Sequence, residues 1–333
     1  MKEQMKAAIL PDNKKVLELT ELPKPSPKVN QLLLKVRACA ICRTDLHVID
    51  GDLSNPKKNL ILGHEIVGTV VETGSGVSNF KVGDLVGVPW LASTCLSCSF
   101  CLRGQENLCP DALFTGYTVD GGFSEYTVAD SRFCFPIPEN YDAQHAAPLL
   151  CAGLIGWRSL KFTGDEKQLG IYGFGAAAHV ITPIAIHLGK RVFAFTSPGD
   201  ERKQKFALSL GVEWSGSSLE KPPTPLDAAI IFAPAGDLVP KALSDTRPGG
   251  TVVCGGIHMS DIPSFPYSLL WGERSVKSVA NLCRKDGEEF FNVVKNLTIR
   301  THVSIFDLEN INDAIEKLRQ GAIEGAAVIV FNH

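Results

Sequence analysis

The chain is expected to combine an all-β, barrel-like unit with a doubly wound α/β unit built on a parallel sheet. Three observations predict this. At 333 residues it exceeds what one hydrophobic core usually fills, so two domains with a cleft between them are expected. The early part of the chain is a series of short apolar runs punctuated by Gly and Pro, the pattern of strands joined by turns. The middle part alternates strand-like with helix-like periods, which calls for right-handed crossovers and a sheet covered on both faces.

In order, the spacing predicts strands at residues 6–10, 32–38, 66–73, 85–89 and 123–128. The period turns helical over 142–160, through Ala146, Leu149, Leu150 and Leu154. A strand at 169–172, a helix at 176–188, a strand at 191–195 and a helix at 200–210 follow, then strands at 228–232 and 251–254. The tail reads as strand 303–307, helix 311–320 and strand 326–331, and is assigned back to the first unit. The β unit is thus expected at residues 1–150 with 291–333, and the α/β unit at 151–290. Pro222-Pro223-Thr224-Pro225 reads as a loop.

A net charge of -3, a pI near 6.3 and the lack of a long basic run offer no electrostatic attraction to nucleic acid or an acidic membrane, so small molecules are the expected partners. The first ten residues lack the apolar core of a signal peptide, and no run approaches about 18 uncharged apolar residues; a soluble, cytoplasmic protein is expected. In such a chain ten cysteines with close spacing read as metal thiolates rather than disulfides.

Cys95, Cys98, Cys101 and Cys109 lie in a loop with Ser97, Ser99, Gly104 and Pro110. Four thiolates close a tetrahedral zinc and leave no vacant position, so this site is expected to be structural, ordering a loop that has little apolar core of its own. A redox-active thiol pair is the alternative reading.

Cys42, in Cys42-Arg43-Thr44-Asp45-Leu46-His47, and His64, in Gly63-His64-Glu65, suit a different kind of site. A catalytic zinc takes three protein ligands and keeps a fourth position open. Cys151, in Leu149-Leu150-Cys151-Ala152-Gly153, taken alone reads as a buried structural thiol, and its candidacy as third ligand rests only on the family resemblance given below. Two thiolates and a neutral imidazole would cancel the charge of the ion, and an alcohol reaching it would lose its proton more easily. Asp45 is the expected acceptor for the second ring nitrogen of His64, and Glu65 either a nearby charge or an occasional ligand. Thr44 and His47, three residues apart on one face of a helical turn, could carry a proton outwards.

Gly173-Phe174-Gly175-Ala176-Ala177-Ala178 follows a strand and opens a helix, the context in which a glycine turn binds a dinucleotide. Gly173 permits the turn, Gly175 lets backbone approach the pyrophosphate, Ala178 stands for the third glycine, and the helix start at Ala176 offers free N–H groups. At the end of the next strand Thr196 stands where an acid would bind the ribose hydroxyls. Ser197-Pro198 reads as a helix cap and first position, with Asp200 and Glu201 as helix-start acids. Without the carboxylate NADP is favoured over NAD, with Thr196, Ser197 and Arg202 as candidate phosphate contacts.

In motif order the chain resembles the zinc-dependent alcohol dehydrogenases of the medium-chain dehydrogenase/reductase superfamily over essentially its whole length. The resemblance rests on Cys42 to His47, Gly63-His64-Glu65, the four-cysteine loop, Cys151-Ala152-Gly153 and the glycine turn. It implies a GroES-like catalytic domain, a Rossmann domain and two zincs per subunit: a catalytic one on Cys42, His64 and Cys151, and a structural one on the other four cysteines. It also implies Thr44 and His47 as proton relay, Arg43 near the pyrophosphate, Trp90 and Leu53 in the substrate pocket, and a homotetramer or homodimer. Two departures stand out: Thr196 for the acid, and alanine in Gly325-Ala326-Ala327-Val328 where many relatives place an arginine. The expected reaction is reversible oxidation of a primary alcohol to an aldehyde with hydride transfer to NAD(P). The alternatives are a polyol, amino-alcohol or cinnamyl-type dehydrogenase and, outside enzymes, a zinc-stabilised cofactor-binding sensor.

Overall fold

The strand Gln31–Ile41 is the spine of the first of two units. Its Leu32, Leu33, Leu34, Val36, Ala38, Cys39 and Ala40 are almost wholly buried, so both faces of the strand are largely covered although Lys35 and the exposed Arg37 interrupt the apolar run. In the computed structural model, which describes residues 3–299 and 301–331, this unit comprises Met1–Cys151 and Leu282–His333. The spine pairs antiparallel with Glu65–Thr73, with Tyr126–Asp130 towards its start and with Ala326–Val330 at its end. Leu85–Val88 and Phe135–Pro136 extend the sheet on one side, and Val303–Phe306 pairs parallel with Ala326–Val330 on the other. A second sheet places Gln4–Leu10 between Glu18–Pro23 and Leu60–Ile61.

Held on both sides up to Ile41, the chain turns at Cys42, whose extended backbone caps the helix Arg43–Asp50. Asp45, in the first turn, accepts from the Cys42 N–H, and Gly51 ends the helix in the left-handed conformation.

The second unit is Ala152–Asn281. Its six strands are all parallel, in the order Trp214–Ser217, Arg191–Thr196, Gln168–Tyr172, Leu226–Ile231, Thr246–Cys254 and Ser275–Ser278. This is the doubly wound order, in which the strand order reverses beside the first strand, Gln168–Tyr172. Tyr172, Phe193, Phe195, Ile231 and Val252 fill its core with no exposure.

Several expectations are corrected. The helical stretch over 142–160 is broken into Ala143–Ala146, a 3-10 turn Ala147–Leu150 and Ala152–Phe162, with Pro148 inside the turn and Cys151 at the break. Proline cannot donate to a continuing α-helix, and the break is what frees Cys151 from it. The strand expected at 123–128 begins only at Tyr126, with a single bridge from Ser124 to Ala7 before it. Ser197-Pro198 belongs to the turn ahead of Glu201–Ser209, and the cap is Asp200, which accepts from the Lys203 N–H. Glu18–Pro23, Leu238–Asp245 and Arg284–Val294 were not anticipated. The first is largely exposed and charged, and the last carries a glycine and an acidic run that blur its period.

Arg284–Val294 packs tightly through that glycine. A Cβ on Gly287 would come within 2.1–2.6 Å of atoms of the Phe135 ring, which is itself buried. Replacing Gly287 with Ala should therefore lower stability by about 1–3 kcal/mol through overpacking, measured as a shift in the urea midpoint at constant m-value.

Candidate metal centres and cofactor turn

Cys42, His64, Glu65 and Cys151 come together although three separate stretches of backbone have to meet to do it: their candidate ligand atoms all lie within 4.8 Å of one another. The Cys42 and Cys151 sulfurs are 3.7 Å apart. Thiolates sharing a tetrahedral zinc at ~2.3 Å stand about 3.8 Å from each other, so the spacing fits. His64 is fully buried, and neither of its ring nitrogens makes a well-aligned hydrogen bond, although Asp45 Oδ1 lies 3.3 Å from Nδ1. A buried imidazole so placed among thiols is what a metal ligand looks like before its ion is counted.

Asp45, itself without exposure, organises this cluster. One oxygen accepts from the Cys42 N–H at 2.8 Å, and the other accepts from the Gly63 N–H at 3.2 Å and faces His64. Gly63 has φ +91°, and a Cβ there would come within 2.7 Å of Cys39 Sγ and the Phe123 ring, so only glycine lets the chain present His64 here.

The protons of the cluster are unevenly held. A hydrogen bond from Cys151 keeps Cys42 well below the usual thiol range, and the same contact, with burial, pushes Cys151 up. Burial works against a charged His64, but Asp45 and Cys42 outweigh it and raise the ring well above its ordinary value. Burial also raises Glu65. Thiol, thiolate, imidazolium and carboxyl so compressed form a donor set from which a divalent cation would displace the protons.

Thr44 is buried, with its hydroxyl 3.7 Å from Cys42 Sγ. His47 lies one turn on in the same helix, and its Nδ1 is 2.8 Å from Asp52 Oδ2, whose side chain is about half exposed. Arg43 is exposed at the start of that helix. Trp90 is buried and meets the His64 ring edge-on at 4.9 Å. Leu53 is partly buried against the core of this unit.

Cys95, Cys98, Cys101 and Cys109 form the second cluster, with sulfurs 3.5–3.9 Å apart in the close pairs. The backbone N–H groups of Ser97 and Cys98 bring Cys95 down to about 6, while burial pushes Cys109 up to about 11. All four positions of a tetrahedron are spoken for. Sequence reasoning missed what this loop fastens. Between its third and fourth cysteines, Glu106 accepts from the Arg284 N–H at 3.0 Å and from Arg284 Nε at 2.5 Å, and Asn107 accepts from Cys283 Sγ. The loop thus grips the chain just after it re-enters the first unit at Leu282.

In the second unit Gly173 has φ +88°, and a Cβ would clash with Ala233 N at 2.6 Å. Gly175 caps the helix Ala176–His187 with no side chain on its free N–H groups, and a Cβ there would meet nothing of the protein within 4 Å. An uncapped helix start with an open approach suits a pyrophosphate. Ala178 is buried where the third glycine would stand. Thr196 is buried too, and its hydroxyl lies within hydrogen-bonding distance of the Ser197 and Gly216 carbonyls and of Gln204 Nε2. Ser197 and Arg202 are exposed.

Residues 28–139 match the alcohol dehydrogenase GroES-like domain. The chain is 42% identical over 319 residues to a probable alcohol dehydrogenase, AdhA, of Mycobacterium tuberculosis (strain CDC 1551 / Oshkosh), covering 93% of this chain and 91% of that protein. Among solved structures it is similar to a cinnamyl alcohol dehydrogenase of Sorghum bicolor, with a TM-score of 0.89, 27% identity and 98% of each chain covered. It is also similar to the acetophenone reductase of Geotrichum candidum in complex with NAD, with a TM-score of 0.88, 25% identity and 99% and 98% covered. The parallel-sheet unit, the matched β domain, the donor clusters and these likenesses agree on one conclusion: the chain belongs to the zinc-dependent alcohol dehydrogenases of the medium-chain dehydrogenase/reductase superfamily.

Proposed function

We propose that Cys42, His64 and Cys151 hold a catalytic zinc, with Glu65 close enough to exchange for a ligand at the fourth position, and that Cys95, Cys98, Cys101 and Cys109 hold a second, structural zinc. The observation that carries this is the convergence of four candidate ligand atoms within 4.8 Å around a buried imidazole without a well-aligned partner. The activity is oxidation of a primary alcohol to an aldehyde, and its reverse, with hydride exchanged with NAD(P). Bound at these residues, zinc would supply Lewis acidity and a nicotinamide would supply a hydride acceptor.

The chain's own residues do the rest. Asp45 orients His64 and the Cys42 backbone, so that the donors are placed before the ion arrives. Thr44 takes the hydroxyl proton of the alcohol into a hydrogen bond, and His47 passes it towards the half-exposed Asp52. Trp90 walls the site with an apolar ring and keeps water from the reacting carbon. Gly173, Gly175, Ala176 and Ala178 seat the pyrophosphate, while Ser197 and Arg202 hold a 2′-phosphate, making NADP the preferred cofactor. Aromatic neighbours around Trp90 favour a second reading within the class, a cinnamyl-type enzyme taking aromatic alcohols.

Self-association is supported by Ser275–Ser278, an edge strand of the parallel sheet, and by the exposed rings of Tyr267 and Trp271 that precede it in the chain. No helix among the described residues is long and apolar enough to cross a membrane.

Three outcomes follow. Cys42→Ser should lower turnover at least about a hundredfold while NADP binding, followed by fluorescence titration, persists; near-normal turnover would overturn the metal's role. Cys109→Ser should leave about one zinc per subunit by elemental analysis and lower Tm by more than about 5 °C, because ion binding is folding energy for that loop. Arg202→Ala should reduce the ratio of kcat/KM with NADP to that with NAD by about tenfold, as expected for one lost charge-assisted hydrogen bond.

A further inference from the structure

Between the helix Arg43–Asp50 and the strand Leu60–Ile61 runs a segment with no helix or strand of its own. Side chains hold it at separate points. Asp52 Oδ2 lies 2.8 Å from His47 Nδ1, and the Asp52 N–H donates to the His47 carbonyl at 2.9 Å. The Tyr117 hydroxyl donates to the Ser54 carbonyl. Further on, the Lys57 N–H donates to the Tyr117 carbonyl at 2.8 Å, and Lys57 Nζ lies 3.0 Å from Asp120. Leu53 therefore sits between two adjacent tethers, one to the proposed relay histidine and one to Tyr117.

Tyr117 can act as a fixed post because its own position is determined elsewhere. Its ring stacks on Trp90, centroids 5.6 Å apart and planes 9° from parallel, and Trp90 in turn abuts His64. The preceding Gly116 is pressed so closely on Gly63 that a Cβ would come within 2.9 Å of the Gly63 nitrogen. A line of contacts thus leads from the metal-site histidine through Trp90 and Tyr117 to the backbone next to Leu53. The stack needs only the ring, whereas the tether needs the hydroxyl.

We infer that Tyr117 is a positioning residue for substrate selection: its hydroxyl pins the segment after Asp50 so that Leu53 stays at the substrate, limiting how bulky an alcohol the enzyme takes. This rests on the proposed role of Trp90 at the site and on the placing of Leu53 beside it that the family resemblance implies. The hydroxyl works on selectivity, and the reacting groups are untouched by it. Without it the segment relaxes, Leu53 withdraws, and larger alcohols gain relative to ethanol.

The test is steady-state kinetics of the zinc-loaded enzyme with ethanol and benzyl alcohol, for Tyr117→Phe, Leu53→Ala, the double variant and Trp90→Ala. Taking the ratio of kcat/KM for the two alcohols on one preparation cancels any loss of folded protein. Tyr117→Phe should raise the benzyl-to-ethanol ratio by about two- to tenfold, the range of one neutral hydrogen bond, with the change in KM. Leu53→Ala should raise it as well, and adding Tyr117→Phe to Leu53→Ala should add little, because both act through the same side chain. If Leu53→Ala or Trp90→Ala moves the ratio but Tyr117→Phe leaves it unchanged, the inference is overturned and the pocket stands. If neither Leu53→Ala nor Trp90→Ala moves it, the placing of the pocket is wrong and the inference goes with it.

Discussion

A carboxylate with no exposure to solvent sets the geometry on which the donor cluster depends. Asp45 reaches the Cys42 N–H, the Gly63 N–H and the neighbourhood of His64 Nδ1 at once, joining two chain segments that share no strand pairing at that point. Burying an acid this completely is costly unless its charge is compensated, and here two backbone dipoles and an imidazole do so. In exchange Cys42 and His64 are held at a fixed separation, with Cys151 arriving from the broken helical stretch to complete the set. The break at Pro148 and the left-handed Gly63 look like local irregularities, yet each delivers a candidate ligand.

The two sulfur clusters differ in a way that follows from their donors. Four thiols surround one point in the cysteine loop, and nothing further could bind there. That loop does more than fold itself, since Glu106 and Asn107 fasten Cys283 and Arg284 where the chain returns to the first unit. The other cluster mixes sulfur, nitrogen and oxygen, with Cys42 held below the usual thiol range and Cys151, His64 and Glu65 raised above their ordinary values. Mutual contact and burial, rather than any single residue, produce those shifts.

Around the mixed cluster the structure builds outwards in layers. Trp90 touches His64, Tyr117 and Phe114 stack on Trp90, and the segment carrying Leu53 hangs from Tyr117 and His47. Sequence reading reached Trp90 and Leu53 but neither Phe114 nor Tyr117. Nothing in the spacing of Phe114-Thr115-Gly116-Tyr117 marks them, because their importance comes from a stack with a residue far away in the chain.

What the sequence by itself determined was the kind of chemistry and the class of fold. Donor identity is a property of side chains, so Cys42, His64 and the four spaced cysteines were legible, as was the glycine turn between a strand and a helix, and the strand–helix alternation sufficed for the parallel sheet. Elements whose period is blurred by charge or glycine were not legible: Glu18–Pro23 is held by backbone pairing with Gln4–Leu10 rather than by an apolar face, and Arg284–Val294 by Glu106 and Phe135, distant in sequence. Only the tertiary structure decided that Cys151 joins Cys42, that Thr196 turns its hydroxyl inwards, and that Asp52 and Tyr117 suspend Leu53. Those are questions of which atoms meet, and a linear pattern carries residue types and periods but no distance between remote side chains.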